Sequence, residues 1–251
     1  MNNKGLASSL VLVVCAAIVR ANHVDIPDFI HVCKRNDPDL GECIKKSVNE
    51  IKPKLATGLP QYDIPSLEPL IFKELTAGNE ANGLKVTVKD IKCYGASDFE
   101  IEKIRTEIET LRFAVDLLLP HLYIEGQYEV NGRVLLLPIQ GNGPIYGNFT
   151  DALGQVKIQA AVKTDEQGEE HMHLSELRLR IAIRKGTLRL ENLFNGDPVL
   201  GNAVNNAINS NFDGFIKELQ PLIEKALSEN FLELGNKIIE PFPFHAIFPE
   251  S

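Results

Sequence analysis

Three short stretches carry residue types and spacings that could do chemistry. Residues 139–151 read IQGNGPIYGNFTD, with Gly141, Gly143 and Gly147 at G-x-G-x-x-x-G spacing. That is close to the glycine turn that cradles a dinucleotide pyrophosphate between a strand and a helix. His171-Met172-His173 sets two imidazoles two residues apart. On a strand such residues share a face, so both could reach one metal ion, although the motif lacks a third ligand. Arg178, Arg180 and Arg184 form a one-faced basic row. It suits a solvated outer strand face, or docking of an acidic partner or a lipid headgroup. No G-x-S-x-G, H-E-x-x-H or G-x-x-x-x-G-K-[ST] motif occurs. His121 and His245 stand alone, and with 34 carboxylates any acid–base pairing would be arbitrary. The residues therefore point to no catalytic site, no resident metal and no cofactor.

The setting in which these residues work is legible at the N-terminus. Lys4 precedes a mostly apolar run from Leu6 to Val19, followed by Val19-Arg20-Ala21 with a small residue at the cleavage position. The run is shorter than the roughly 20 residues that span a bilayer. It reads as a signal peptide over 1–21, leaving a secreted single domain over 22–251. A retained N-terminal anchor is the alternative. Removing Lys4 and Arg20 leaves 24 basic against 34 acidic residues, and 24 − 34 = −10. Such an acidic chain repels nucleic-acid phosphates and anionic membranes, so neither nucleic acid nor membrane insertion is expected. Cys15 leaves with the signal. In an oxidising compartment Cys33 and Cys43 form a disulfide, while Cys93, in an alternating stretch, is a small buried hydrophobe. Asn148-Phe149-Thr150 is the only glycosylation sequon and needs an exposed Asn148 at a strand end or turn.

Asp37-Pro38 reads as a helix start, and Leu40, Ile44, Val48, Ile51 and Leu55 follow as one apolar stripe. Pro53 perturbs the last turn. GLPQYDIPSLEPLIF, with three prolines, is an extended connector. From about Leu84 to Leu190 the period becomes two. The apolar sets include Phe113, Val115 and Leu117; Leu122, Ile124, Tyr128 and Val130; Val156 and Ile158; and Leu177, Leu179, Ile181 and Ile183. Asn131-Gly132 is a tight-hairpin signal, and DEQGEE is a polar loop. Six or seven antiparallel strands result. Asp197-Pro198 then starts a helix whose apolar positions run from Leu200 to about Ile239, about 60 Å if unbroken, with a kink at Pro221. A coiled coil fits poorly, because the stripe is wide and Phe-rich. The fold class is α+β: a long C-terminal helix packed in the concave face of a strongly curved antiparallel sheet.

This placement decides the glycine stretch. Its flanks, VLLLPI and QVKIQAAV, are strands, and no helix start follows Gly147. A dinucleotide turn is excluded, and the glycines are read as a bulge or turn where a long strand bends. Pro144 marks the break in the ladder and Asn148 the exposed rim.

Several stretches in order resemble the takeout / juvenile hormone-binding protein family of insect secreted proteins. They are IPDFIHVCKRNDPDLGECIKK with Cys33 and Cys43, GLPQYDIPSLEPL, LLLPIQGNGPIYGNFTD, LFNGDPVLGNAVNNAINSNF and PFPFHAIFPE. The resemblance covers nearly all of the mature chain. It implies a super-roll related to the lipid-binding folds of bactericidal/permeability-increasing protein. It also implies a carrier of lipophilic small molecules in haemolymph or tissue fluid. The hormone-binding branch has a second disulfide; Cys93 here has no second partner, which fits the takeout-like branch better. The resulting expectation is a non-enzymatic, monomeric, glycosylated carrier of a hydrophobic ligand of terpenoid type, such as juvenile hormone, or of fatty-acyl type. The ligand would sit in an elongated apolar tunnel. Candidate lining residues are Phe113, Val115, Leu117, Tyr128, Val134, Leu136, Phe212, Phe215, Ile216 and Leu219, with Tyr128 as a polar handle; core packing is the competing role for each. The alternatives weighed are an immune-type protein binding microbial lipids, disfavoured by the acidic charge, and a hydrolase or isomerase, for which no nucleophile motif is found.

Overall fold

The computed structural model describes residues 26–79, 83–134 and 137–250. The expected leader over 1–21 and its cleavage point lie outside them. Helix α1 spans Leu40–Thr57 with Asp39 at its N-cap. It starts two residues later than Asp37-Pro38 suggests, because the Asp37 carboxylate accepts from the Asp39 backbone N–H at 2.8 Å and holds a turn ahead of the helix. Cys33 and Cys43 are joined, with Cα atoms 5.9 Å apart, so the N-terminal arm is tied to the first turns of α1.

Among the described residues six strands follow: β1 Leu70–Asn79, β2 Leu84–Tyr94, β3 Glu100–Glu107, β4 Arg112–Val134, β5 Leu137–Thr164 and β6 Glu170–Leu190. They form one antiparallel sheet in the order β1-β2-β4-β5-β6. β5 runs along one whole edge of β4, so β3 and β2 share the other edge, β3 on its first half and β2 on its second. The proline-rich connector is extended apart from a short 3-10 turn at Pro60–Tyr62. Its last residues, Leu70-Ile71-Phe72, already belong to β1, a strand that the reading from Leu84 onward omitted.

Two turn expectations are corrected. Asn131-Gly132 does not reverse the chain: it lies inside β4, with Asn131 opposite Gln140 and Gly132 opposite Ile139, and the reversal falls between Val134 and Leu137. Gly132 is required for another reason. A Cβ there would sit 2.3 Å from the Gly83 carbonyl oxygen, where β2 begins. Gly141, Gly143 and Gly147 also lie within a continuous strand, opposite Val130, Tyr128 and Ile124, with no bulge. They are close-approach positions: a Cβ at Gly141 would meet the Leu193 Cα at 2.9 Å and the Tyr128 hydroxyl at 3.0 Å. Pro144 does mark the end of a ladder, that with β6: the last pair is Ile145 with Leu190, and the Glu191 N–H then donates to the Pro144 carbonyl at 3.0 Å.

The fold instead interrupts its ladders one step further on. Direct pairing lapses in both ladders at Pro120, Asp151 and Arg184, while the register on either side is unchanged. Asp151 has φ +54°, an uncommon conformation for a residue with a side chain. Across this row the apolar face changes phase: Phe113 packs with one core cluster, whereas Leu122, Ile124, Tyr128 and Val130 pack with another. The two apolar sets read as separate in the sequence are therefore one 23-residue strand with a phase change at Pro120.

Helix α2 spans Pro198–Ser210 and α3 spans Phe212–Ile239. The Asp197 carboxylate caps α2, accepting from the Val199 and Leu200 N–H groups at 2.9 and 3.0 Å. The break in the long helix falls at Asn211 (φ −128°) and not at Pro221, which α3 contains. Asparagine is a poor interior helix former, and the break turns Phe212, Phe215 and Ile216 into the core. A last short helix, α4, is Phe244–Ile247. α3 touches both edge strands, β6 and β1, so it lies in the curl and closes its seam. Phe72 on β1 and Phe231 on α3 make an edge-to-face pair at 5.8 Å.

The β6 side of that seam is made by side chains in place of a seventh strand. Asn205 and Asn209 each accept from and donate to one β6 residue, Leu190 (2.9 and 2.9 Å) and Leu188 (2.8 and 2.7 Å) respectively. Asn236 does the same with Leu174, at 2.7 and 3.0 Å. Between them the Ile181 N–H donates to Glu224 and the Leu179 N–H to the Ser228 hydroxyl, each at 2.9 Å. An open edge strand is a template for aggregation; here the helices supply the missing partners.

Candidate functional site

Two packed clusters fill the ends of the roll. At one end Tyr128, Val130, Val134, Ile139, Phe149, Phe212, Phe215 and Ile216 are buried together, with Leu219 and Leu222 packed against them. At the other, Cys33, Leu40, Met172, Leu174, Phe244 and Phe248 form a plug from the N-terminal arm, α1, β6 and α4. Phe113 stacks on Phe248 there, ring centroids 6.1 Å apart.

Between the clusters the inward row is apolar and incompletely covered. Val115 lies opposite Val156, and Leu117 opposite Gly154, which in turn lies opposite Ile181; Leu119 lies opposite Ala152, then Ile183. Val115, Leu117, Leu119, Val156 and Ile181 are all only partly buried, as are Ile223, Leu227 and Phe231 on α3. Gly154 keeps the wall low: a Cβ there would meet Leu117 at 3.7 Å and Leu179 at 4.0 Å, ordinary contact distances. A band of partly exposed apolar side chains suits an elongated lipophilic molecule.

The ten candidate lining residues thus separate. Tyr128, Val134, Phe212, Phe215 and Ile216 are core of one end, with Leu219 at its margin; Phe113 belongs to the plug; Val115 and Leu117 face the band; Leu136 lies outside the described residues. The Tyr128 hydroxyl donates to the Glu191 carbonyl at 2.7 Å, so its proton is committed to holding the returning chain. Burial pushes this phenol up to about 12, which keeps it a neutral donor at any ordinary pH. The sequence reading missed Gly154, which lies between Leu117 and Ile181 in the band. A glycine in the middle of an otherwise apolar strand face was the available signal.

A second concavity, a cleft of about 740 Å³, lies between the start of α2 and β6 and is lined by Tyr123, Tyr146, Asn148, Arg189, Glu191 and Asn202 among others. It is open, its lining mixes polar and apolar groups, and it is separate from the apolar band. Asn148 is exposed within β5 and not at a strand end, and its side-chain oxygen lies 2.7 Å from the His121 ring nitrogen Nε2. Arg178 and Arg180 are exposed on the outer face, Arg178 paired with Glu176 at 2.6 Å.

Cys93 is buried and unpaired, as expected. Desolvation, with the Glu68 carboxylate adding to it, raises its thiol from 9.0 to about 11. Native protein is expected to resist iodoacetamide at pH 8.5 and to react at Cys93 only with denaturant, read by peptide mass. The unfolded thiol ionises first, so this group's contribution to stability falls as pH rises between about 9 and 11.

A curled antiparallel sheet, closed along its seam by a long helix and carrying an apolar band inside, defines the super-roll class of α+β fold. A family model of haemolymph juvenile hormone binding protein (JHBP) matches residues 9–249, and the chain belongs to that family. Circadian clock-controlled protein daywake of Drosophila melanogaster is 24% identical over 234 residues, covering 90% of this chain and 89% of that protein. A putative beta-carotene-binding protein of Schistocerca gregaria is 20% identical over 221 residues, covering 88% of each. The crystal structure of Epiphyas postvittana Takeout 1 superposes with a TM-score of 0.74 at 20% identity, over 88% of this chain and all of that one. Among the described residues no helix is long and apolar enough to cross a membrane.

Proposed function

We propose that the protein is a secreted, non-enzymatic, monomeric carrier that holds one hydrophobic molecule of terpenoid or fatty-acyl type along the band between the two plugs. The observation that carries this reading is the partly exposed apolar row of Val115, Leu117, Val156 and Ile181 on the inward face of the sheet, with α3 lying in the curl against β6. Moving apolar ligand surface from water onto such a row is worth about 25 cal/mol per Å². The Cys33–Cys43 disulfide supports an oxidising compartment. The family's name and the carotene-binding relative support an apolar ligand. The exposed Asn148 is the proposed glycan position.

A fluorescent fatty-acid probe should bind saturably at one site and be displaced by a terpenoid ester or a long-chain fatty acid. Absence of saturable apolar binding would overturn the reading.

A further inference from the structure

We propose that Asp165, Glu169 and His171 bind one divalent transition ion of the zinc class at the tip of the β5–β6 hairpin. The Asp165 Oδ2 lies 3.5 Å and the Glu169 Oε2 3.9 Å from the His171 Nε2. One ligand atom from each residue falls within 4.8 Å of the others. Two ligands on a tetrahedral ion with bonds of about 2.1 Å stand about 3.4 Å apart, so little movement is needed to close the set.

A group outside the cluster fixes which nitrogen faces the acids. The His171 Nδ1 is 2.9 Å from the Glu240 carbonyl oxygen at the end of α3. A carbonyl only accepts, so Nδ1 carries the hydrogen and Nε2 is the atom presented to two carboxylates. Orientation of a ligating imidazole by a carbonyl on its far nitrogen is the usual second layer of a metal site. The Asp165 carboxylate is held in place as well, its Oδ1 accepting from the Gln167 and Glu169 N–H groups at 2.9 and 2.8 Å while Oδ2 remains toward His171.

The His-x-His pairing suggested by the sequence is corrected on the same geometry. His173 is on the same face but its Nδ1 is engaged by the Glu240 carboxylate. The additional ligands come from the loop, through its reversal, and not from the next histidine. An ion there would fasten the hairpin tip to the segment after α3, where His171 also bridges Pro243. One nitrogen and two carboxylate oxygens favour zinc-class ions over calcium, which takes six or more oxygens.

The test is calorimetric titration of untagged, chelator-stripped protein with ZnCl2 at pH 7.5. One equivalent should bind saturably, with calcium failing to compete. His171→Gln and Asp165→Asn should each weaken binding at least ~10-fold, whereas His121→Gln, on the outer face, should leave it unchanged. Thermal unfolding in chelator shows that each variant is folded; if His171→Gln is not, Asp165→Asn on the exposed loop carries the test. Absence of saturable binding, the result if a protonated His171 merely pairs with the two acids, overturns the proposal. So does an unchanged affinity in the loop and histidine variants.

Discussion

Gly154→Leu is expected to lower the affinity for an apolar probe at least ~10-fold while leaving the melting temperature within about 4 °C of the parent. Gly154 lies between Leu117 on β4 and Ile181 on β6, in the middle of the apolar band. Its Cβ position is clear to 3.7 Å, so the first carbon of a new side chain fits without moving the sheet. The remaining atoms must then enter the space that the proposal assigns to ligand. A glycine within a strand is itself slightly unfavourable, by roughly 0.5–1 kcal/mol against alanine, which offsets part of any crowding. A solid interior predicts the opposite pattern. Forcing a leucine side chain into packed surroundings costs about 1–3 kcal/mol or more, and affinity for a probe bound elsewhere would not change. Probe titration and thermal unfolding on the same preparation separate the two. A large fall in stability with unchanged affinity would refute the band as the site.

The double substitution Asn205→Ala/Asn209→Ala is expected to be the most destabilising change on the helices, lowering the melting temperature by about 10 °C. Each asparagine satisfies both backbone groups of one β6 residue, Leu190 or Leu188. Truncation strands a part-buried N–H and carbonyl, at about 1–3 kcal/mol per site. For a domain of this size each kcal/mol moves the midpoint by about 2–4 °C. Asn202→Ala, on the exposed side of α2, is the control and should have little effect. Asn209→Asp should be worse than alanine: it keeps the acceptor for the Leu188 N–H but sets a carboxylate against the Leu188 carbonyl. If the double variant melts with the parent, water replaces these amides freely and they do not hold the seam.

β2, β4, β5, β6 and the two helical regions were legible because each is written in local periodicity or in a cap, whereas β1 begins inside the proline-rich connector and was not. Alternation marked β4, β5 and β6, and Asp197-Pro198 marked the start of α2. Reading failed where two signals of equal local strength compete. Asn131-Gly132 has the composition of a hairpin, yet the chain continues and turns after Val134. Gly132 is there because β2 crosses within reach of its Cβ, a fact about a segment some fifty residues earlier. Pro221 and Asn211 are both helix breakers by composition, and only packing of Phe212, Phe215 and Ile216 chose Asn211.

The proposed site divides in the same way. Val115 and Leu117 were legible as inward residues from alternation alone, as was the exclusion of a nucleotide turn at Gly141 to Gly147. The sequence could not separate them from Phe113, Tyr128, Val134 or Phe215, which share their pattern and are packed away. Whether an inward side chain is core or lining depends on what stands opposite it across the roll, and that is set by strand register and by where α3 lies. Nothing local in the sequence distinguishes the polar residues Asn205, Asn209, Glu224, Ser228 and Asn236 from a solvated helix face; only the tertiary structure made them the partners of an edge strand. His171 and His173 were placed on one face by a period of two, but their partners, Asp165 and Glu240, were chosen by a loop reversal and a helix end. By itself the sequence determined the periods, the caps, the acidic charge and the family, because each is local or additive. The tertiary structure alone decided which apolar face is filled, which edge is satisfied and which imidazole faces the carboxylates, because each depends on groups distant along the chain.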